Sequence, residues 1–227
     1  MRVINSLQGT AAVVVSADEV APPNGIVVAN LLDLVASTYK FASRPAPPNE
    51  TIQLGGSQFA FQSGVLEAGN EKFPIVQLAI LTNADVVTSV TTEIADKVLD
   101  DYMERLDKDL GFRFSSATKR RIYQSNLVVE FDNGIAEKIA ALEKIENLLS
   151  REIKRELPFK IKRLAFGSGN IAPAFVPLSI ATIENSDFFL DRRQDQDYSK
   201  NRYLCGAPVS TAEHIRIMSL FEKELAA

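Results

Sequence analysis

The sequence predicts an α+β fold in which antiparallel sheet carries long amphipathic helices. Three observations lead there. Residues 92–110 place Ile94, Val98, Tyr102, Leu106 and Leu110 at four-residue steps, with Ala95, Leu99 and Met103 widening the stripe, which is helix periodicity. Residues 74–81 form an apolar run of strand length bounded by Pro74 and by Thr82-Asn83. Between Glu50 and Val90 the pattern has period two, Phe59 and Phe61 alternating with Ala60 and Gln62.

In chain order, a first strand is expected at 11–16. The turn cluster Pro22-Pro23-Asn24-Gly25 follows. A helix over 26–40 puts Val27, Leu31, Leu34 and Thr38 on one face, with Asn24 as its expected N-cap. Pro45, Pro47 and Pro48 make the next stretch a stiff connector, since each fixes φ and removes a donor. A meander of strands is expected at 51–54, 58–66, 74–82 and 85–90, broken by turns at Gly55-Gly56 and at 67–72. The helix 92–110 then ends at Gly111, a position suited to a left-handed cap, with Phe112 folding back on the last turn.

A strand at 127–131 and the turn Asp132-Asn133-Gly134 lead to a helix over 135–156. Ile135, Ile139, Leu142, Ile145, Leu149 and Ile153 line it, and Pro158 ends it. Strands are expected at 159–166, 178–184, 187–193 and 202–206. The last helix opens on Ser210-Thr211-Ala212-Glu213, a capping-box spacing, and runs to about residue 225. The two halves thus read alike: strand, helix, several strands, helix. That order is compatible with two similar units, 1–111 and 112–227, and equally with one continuous domain. No residue-level repeat decides between them.

Composition narrows the function classes. The chain of 227 residues is 46% hydrophobic and 24% charged, ordinary for a folded protein and wrong for disorder. No apolar run is long enough for a membrane helix. The apolar stretch 11–15 is too short for a secretory leader, and Cys205 has no intrachain partner, so a cytoplasmic chain is expected. One His and one Cys leave no zinc site of the usual type within one chain, and no cofactor motif is present. Charge is uneven: residues 1–110 hold 7 Lys/Arg against 14 Asp/Glu, whereas 111–163 hold 12 against 7. Such bipolarity favours a protein partner or self-association.

Candidate chemistry falls into four groups. Cys205 and His214 could form a nucleophile–base dyad, since a thiolate needs a nearby base. The competing assignment is structural: His214 shares a helix face with Met218, Phe221 and Leu225, and cysteine packs as a small hydrophobe. The basic residues Arg113, Lys119, Arg120, Arg121, Lys160, Lys162 and Arg163 are the candidates for binding an anion or a partner. The acidic pI and the lack of interleaved aromatics weigh against nucleic acid. Phe166-Gly167-Ser168-Gly169-Asn170 lacks both a following helix and a Gly-Lys-Ser/Thr, so it is no phosphate loop. The carboxylates Glu130, Asp132, Glu184, Asp187 and Asp191 lack the setting of a metal nuclease, and the acidic face of 92–110 lacks a calcium loop.

The reading that follows is a non-catalytic binding protein, an assembly or adaptor subunit of a cytosolic complex. A Cys/His-dependent hydrolase or transferase is the first alternative. A module for a small anionic ligand or nucleic acid is the second.

Overall fold

A computed structural model describes residues 1–45, 59–132, 139–152, 160–167, 186–193 and 200–226, together with Ile135 and Ile183. The expected strand at 51–54 lies outside the described residues, as does that at 178–184 apart from Ile183, and as do Pro47, Pro48, Gly55, Gly56, Ser168, Gly169 and Glu184. The described fold is α+β. Its strands join in one eight-stranded antiparallel sheet.

The elements follow in order. They are β1 (Arg2–Val14), α1 (Ala17–Val20), α2 (Val28–Thr38), β2 (Phe59–Ala68), β3 (Glu71–Ile80), β4 (Ala84–Ser89) and α3 (Thr92–Leu110). Then come β5 (Arg120–Glu130), α4 (Ala140–Glu152), β6 (Arg163–Phe166), β7 (Phe188–Arg192), β8 (Arg202–Ala207) and α5 (Thr211–Ala226). Across the sheet the order is β2-β3-β4-β1-β5-β8-β7-β6. Outward from the centre, β1, β4, β3 and β2 run one way, and β5, β8, β7 and β6 the other.

The strand β1 begins nine residues before the expected start at Ala11. Its first half mixes polar with apolar residues and is mostly exposed, and register shifts occur between Val3 and Asn5 and between Ser6 and Gln8. Ile4 and Leu7 are the extra residues of these bulges, which hides the period-two signal there. Likewise β5 starts at Arg120, ahead of the apolar run that marks it in sequence, because pairing with β1 carries it.

Helix α3 occupies the expected residues. Thr91 accepts from the Ile94 N–H at its start, and Gly111 closes it at φ 70°. It buries Ala95, Val98, Leu99, Tyr102, Met103 and Leu106 against Ala11, Val13, Leu78 and Val87, and α2 adds Leu31, Leu32 and Val35 to the same core. The N-cap of α2 is Val27, with no side-chain capping bond, and not Asn24. A second core gathers Leu127, Val129, Leu190, Tyr203, Cys205 and Met218. The opposite sheet face is covered at Ala12, Ala79 and Val86, which pack with Ile183.

The N-termini of α3 and α5 meet at the middle of the molecule. The Thr92 N–H donates to Thr211 Oγ1 (3.1 Å), and the Thr211 N–H donates to Thr92 Oγ1 (2.8 Å). Thr91 and Ser210 precede them as matching caps. Gly9, opposite Ser125 on β5, lies so close that a Cβ there would sit 2.1 Å from the Thr92 nitrogen. Only glycine lets β1 pass under the α3 terminus. The expected capping box at Ser210 forms by half. Ser210 Oγ accepts from the Glu213 N–H at 3.2 Å, but the Glu213 carboxylate turns outward to Arg216.

Candidate functional site

His214 sits one turn into α5 and is fully buried. Its Nδ1 is 2.8 Å from Ser125 Oγ, and among the described residues its Nε2 has no hydrogen-bond partner. The Phe188 ring stands edge-on at 6.1 Å. Burial pushes the imidazole down to about 4, only partly offset by Ser125, so the ring is neutral near pH 7. Cys205, on β8, is also fully buried. Its thiol lies 3.9 Å from the Tyr203 carbonyl, and burial, then Asp191, pushes its pKa up. The two share one core, since Cys205 pairs with Leu127, two residues from Ser125. Their hydrogen bonds nevertheless go to different partners. Ser125 is the residue at this centre that the sequence does not single out, because a serine in a strand 89 residues from the histidine carries no local signal.

The polar junction beside it is also closed. Glu93 Oε1 accepts from the Thr92 hydroxyl and from the Ala212 N–H, each at 3.1 Å. Burial alone would raise this carboxyl. Bonds from its own N–H, from Ala212 and from Thr91 and Thr92 outweigh that and hold it below its ordinary value. One carboxylate thereby serves two helix N-termini.

The basic candidates fall into two groups. Arg113 donates to the carbonyls of Ala21 (2.9 Å) and Asp18 (3.3 Å), and Lys119 to that of Phe114. Arg121 pairs with Asp96 (2.8 Å) and Asp100 on α3 of the same chain, and Arg120 is exposed beside it. Lys160 pairs with Glu146 (2.9 Å), Arg163 lies 3.7 Å from Asp191 and over the Phe189 ring, and Lys162 is exposed. The register places Arg163 in the row of Asp191, Leu204 and Val128, whereas Arg120 is eight residues away at the other end of β5. That is roughly 27 Å along the strands and about 14 Å across them, so the two groups do not form one patch. Lys154 and Arg155 lie outside the described residues.

The acidic residues of α3 are used internally as well. Besides the Arg121 pairs, Asp101 accepts from Tyr39 and Arg105, and Asp107 from the N–H groups of Phe114 and Ser115. Glu130 is held between Arg2 and Arg202. Among the described residues, no three of His, Cys, Asp and Glu are grouped so as to hold a metal ion. No helix of the described residues is long and apolar enough to cross a membrane.

The surface that departs from expectation is α4. The apolar stripe expected over 135–156 faces the core only in its first part. Ahead of α4, Ile135 is buried and Ile139 packs on the second core, and Leu142 is half-buried, but Ile145, Leu148 and Leu149 are 52%, 48% and 37% exposed. The side turned inward carries Glu146, which is 5% exposed and accepts from Ile161 N (2.6 Å) as well as from Lys160. These bonds compensate the buried carboxylate and tie the approach to β6 against the helix. Satisfying Glu146, about 100° around the helix from Ile145, is what leaves the apolar residues outside. In α2, which stands at the same place in the order of the first half, Leu31, Leu32 and Val35 are all buried.

No known protein family and no curated protein matches this sequence.

Proposed function

We propose that this chain is a non-catalytic binding protein, an assembly or adaptor subunit, and that it engages its partner through the apolar face of α4. The observation that carries the reading is the exposure of Ile145, Leu148 and Leu149 on a helix whose inward side holds a charge. Apolar groups clustered on one exposed face mark interaction surfaces more often than chance scatter does. The chain is read here as two similar units, 1–111 and 112–227, joined through β1 and β5. The matching strand order on either side of the centre and the reciprocal Thr92–Thr211 bonds support that reading. On it, α2 of the first unit buries its apolar face, and the second unit keeps α4 open for a partner. A cytoplasmic setting, which keeps a single thiol reduced, fits Cys205.

The hydrolase or transferase alternative rests on the shared core of Cys205 and His214. It stands second because burial disfavours the thiolate that it needs. The alternative of a module for a small anionic ligand or nucleic acid rests on the exposed Arg120 and Lys162 and their neighbours, which lie in two separate groups.

The test is the size of the native particle in an extract of the cells that make the chain. The wild type is expected well above 25.0 kDa, and Ile145→Glu/Leu149→Glu is expected to return it toward the single-chain mass. A wild-type chain that migrates alone even in undiluted extract would end the assembly reading.

A further inference from the structure

We infer that the partner seated on α4 is a second copy of this chain, paired antiparallel across a two-fold axis at Leu148. This rests on the reading of α4 as a binding face and adds the identity of the occupant. The argument is one of charge. Lys144 and Glu152 lie four residues before and four residues after Leu148, on the same stripe of the helix, and both are exposed; Glu152 also pairs with its neighbour Arg151 at 2.9 Å, a contact it exchanges for the second copy's lysine. A two-fold rotation at Leu148 reverses the stripe. Lys144 then meets Glu152 of the second copy, Glu152 meets the second Lys144, and the two Leu148 side chains meet between them. Ile145 and Leu149 close over one side of that contact, and Arg151 borders the other. An isologous interface requires a patch complementary to itself, and this order of cation, apolar group and anion is so. A parallel pairing would instead set lysine against lysine.

The size of the surface fixes the strength. A helix of 13 residues is about 20 Å long, and two such helices side by side bury less than the ~800 Å² per partner of a standard interface. The dimer is therefore weak and depends on concentration, held by the central leucines and steered by the flanking charges.

Sedimentation velocity of the purified full-length chain, from about 5 μM to about 500 μM, reads this directly, the range being set for an interface at the small end. The expected result is a 25.0 kDa species that gives way to one of twice that mass as concentration rises. Lys144→Glu alone and Glu152→Lys alone are each expected to weaken association about tenfold, because each sets like charges opposite one another twice. The double variant Lys144→Glu/Glu152→Lys restores opposite charges and is expected to recover wild-type association. Both side chains are on the outside of the helix, and the double variant guards against a loss caused by misfolding. A chain that stays monomeric at every concentration overturns the inference, and so does a dimer indifferent to the swaps. A monomer that still enters an α4-dependent particle in the cell extract overturns the second copy alone and leaves the binding reading in place.

Discussion

Asp85 and His214 are ionisable side chains carried into the interior by elements that otherwise bury apolar groups. Burial pushes the Asp85 carboxyl up to about 7, offset in part by the Tyr102 hydroxyl, and pushes His214 down to about 4. Each is therefore neutral in the folded chain over most of the interval between, and each acts on stability in the opposite direction. For His214 the unfolded state binds more protons, so its contribution is full above about 6.5 and is lost as pH falls toward 4. For Asp85 the folded state binds more protons, so its contribution is full below about 3.8 and is lost as pH rises toward 7. Between pH 4 and 6.5 the two slopes oppose each other. Relative to wild type, Asp85→Asn should gain stability as pH rises through that interval, by about 3 kcal/mol in all. His214→Gln should lose it by a similar amount. Urea unfolding at pH 4.5, 5.5 and 6.5 gives the three curves. Parallel curves would mean that neither group stays neutral in the fold. The sequence shows part of this. A lone histidine on the face of Met218 and Phe221 reads as a core residue, but Ser125, 89 positions away, leaves no local trace, and neither does the packing that buries Asp85.

At the scale of elements, legibility tracks how much of each element's identity is local. Helix α3 was fully legible because its stripe, its Thr91 cap and its Gly111 terminator all lie within the segment itself. The first half of β1 was not, because Arg2–Gln8 owes its strand to pairing with β5 and its bulged Ile4 and Leu7 break the alternation. The inward turn of Glu146 was also hidden, since it depends on Lys160 and Ile161 arriving from beyond the helix. The meeting of α3 with α5 is hidden for the same reason, its partners lying 119 positions apart. Its contribution can be measured by a double-mutant cycle. Thr92→Val and Thr211→Val preserve side-chain shape and remove the hydroxyls, so the two changes should be strongly non-additive, with a coupling of about 1 kcal/mol in urea unfolding. Additive losses would show that the reciprocal bonds do not couple the two helix ends.

For the molecule as a whole, the α+β class and the antiparallel sheet follow from patterns that any single segment displays. The surface that matters most to the proposed function does not. A hydrophobic stripe says that a helix has something to bury and leaves open whether the same chain buries it. The structure closes that question differently for α2 and α4, packing the first and exposing the second. The charge asymmetry of the sequence also changes meaning, because Arg121 meets the acidic face of α3 within one chain. That pairing removes the most obvious electrostatic route to a partner and leaves the apolar face of α4 as the principal one. The central claim is therefore that α4 is covered in the working state, and thiol labelling of Leu148→Cys tests it most directly. Cys205, buried, serves as the internal reference that should react only after unfolding. Position 148 should label rapidly in the purified chain at about 5 μM and several-fold more slowly either at about 500 μM or in undiluted native extract. Equal rates in all three would contradict the account, because they would mean that nothing sits on α4.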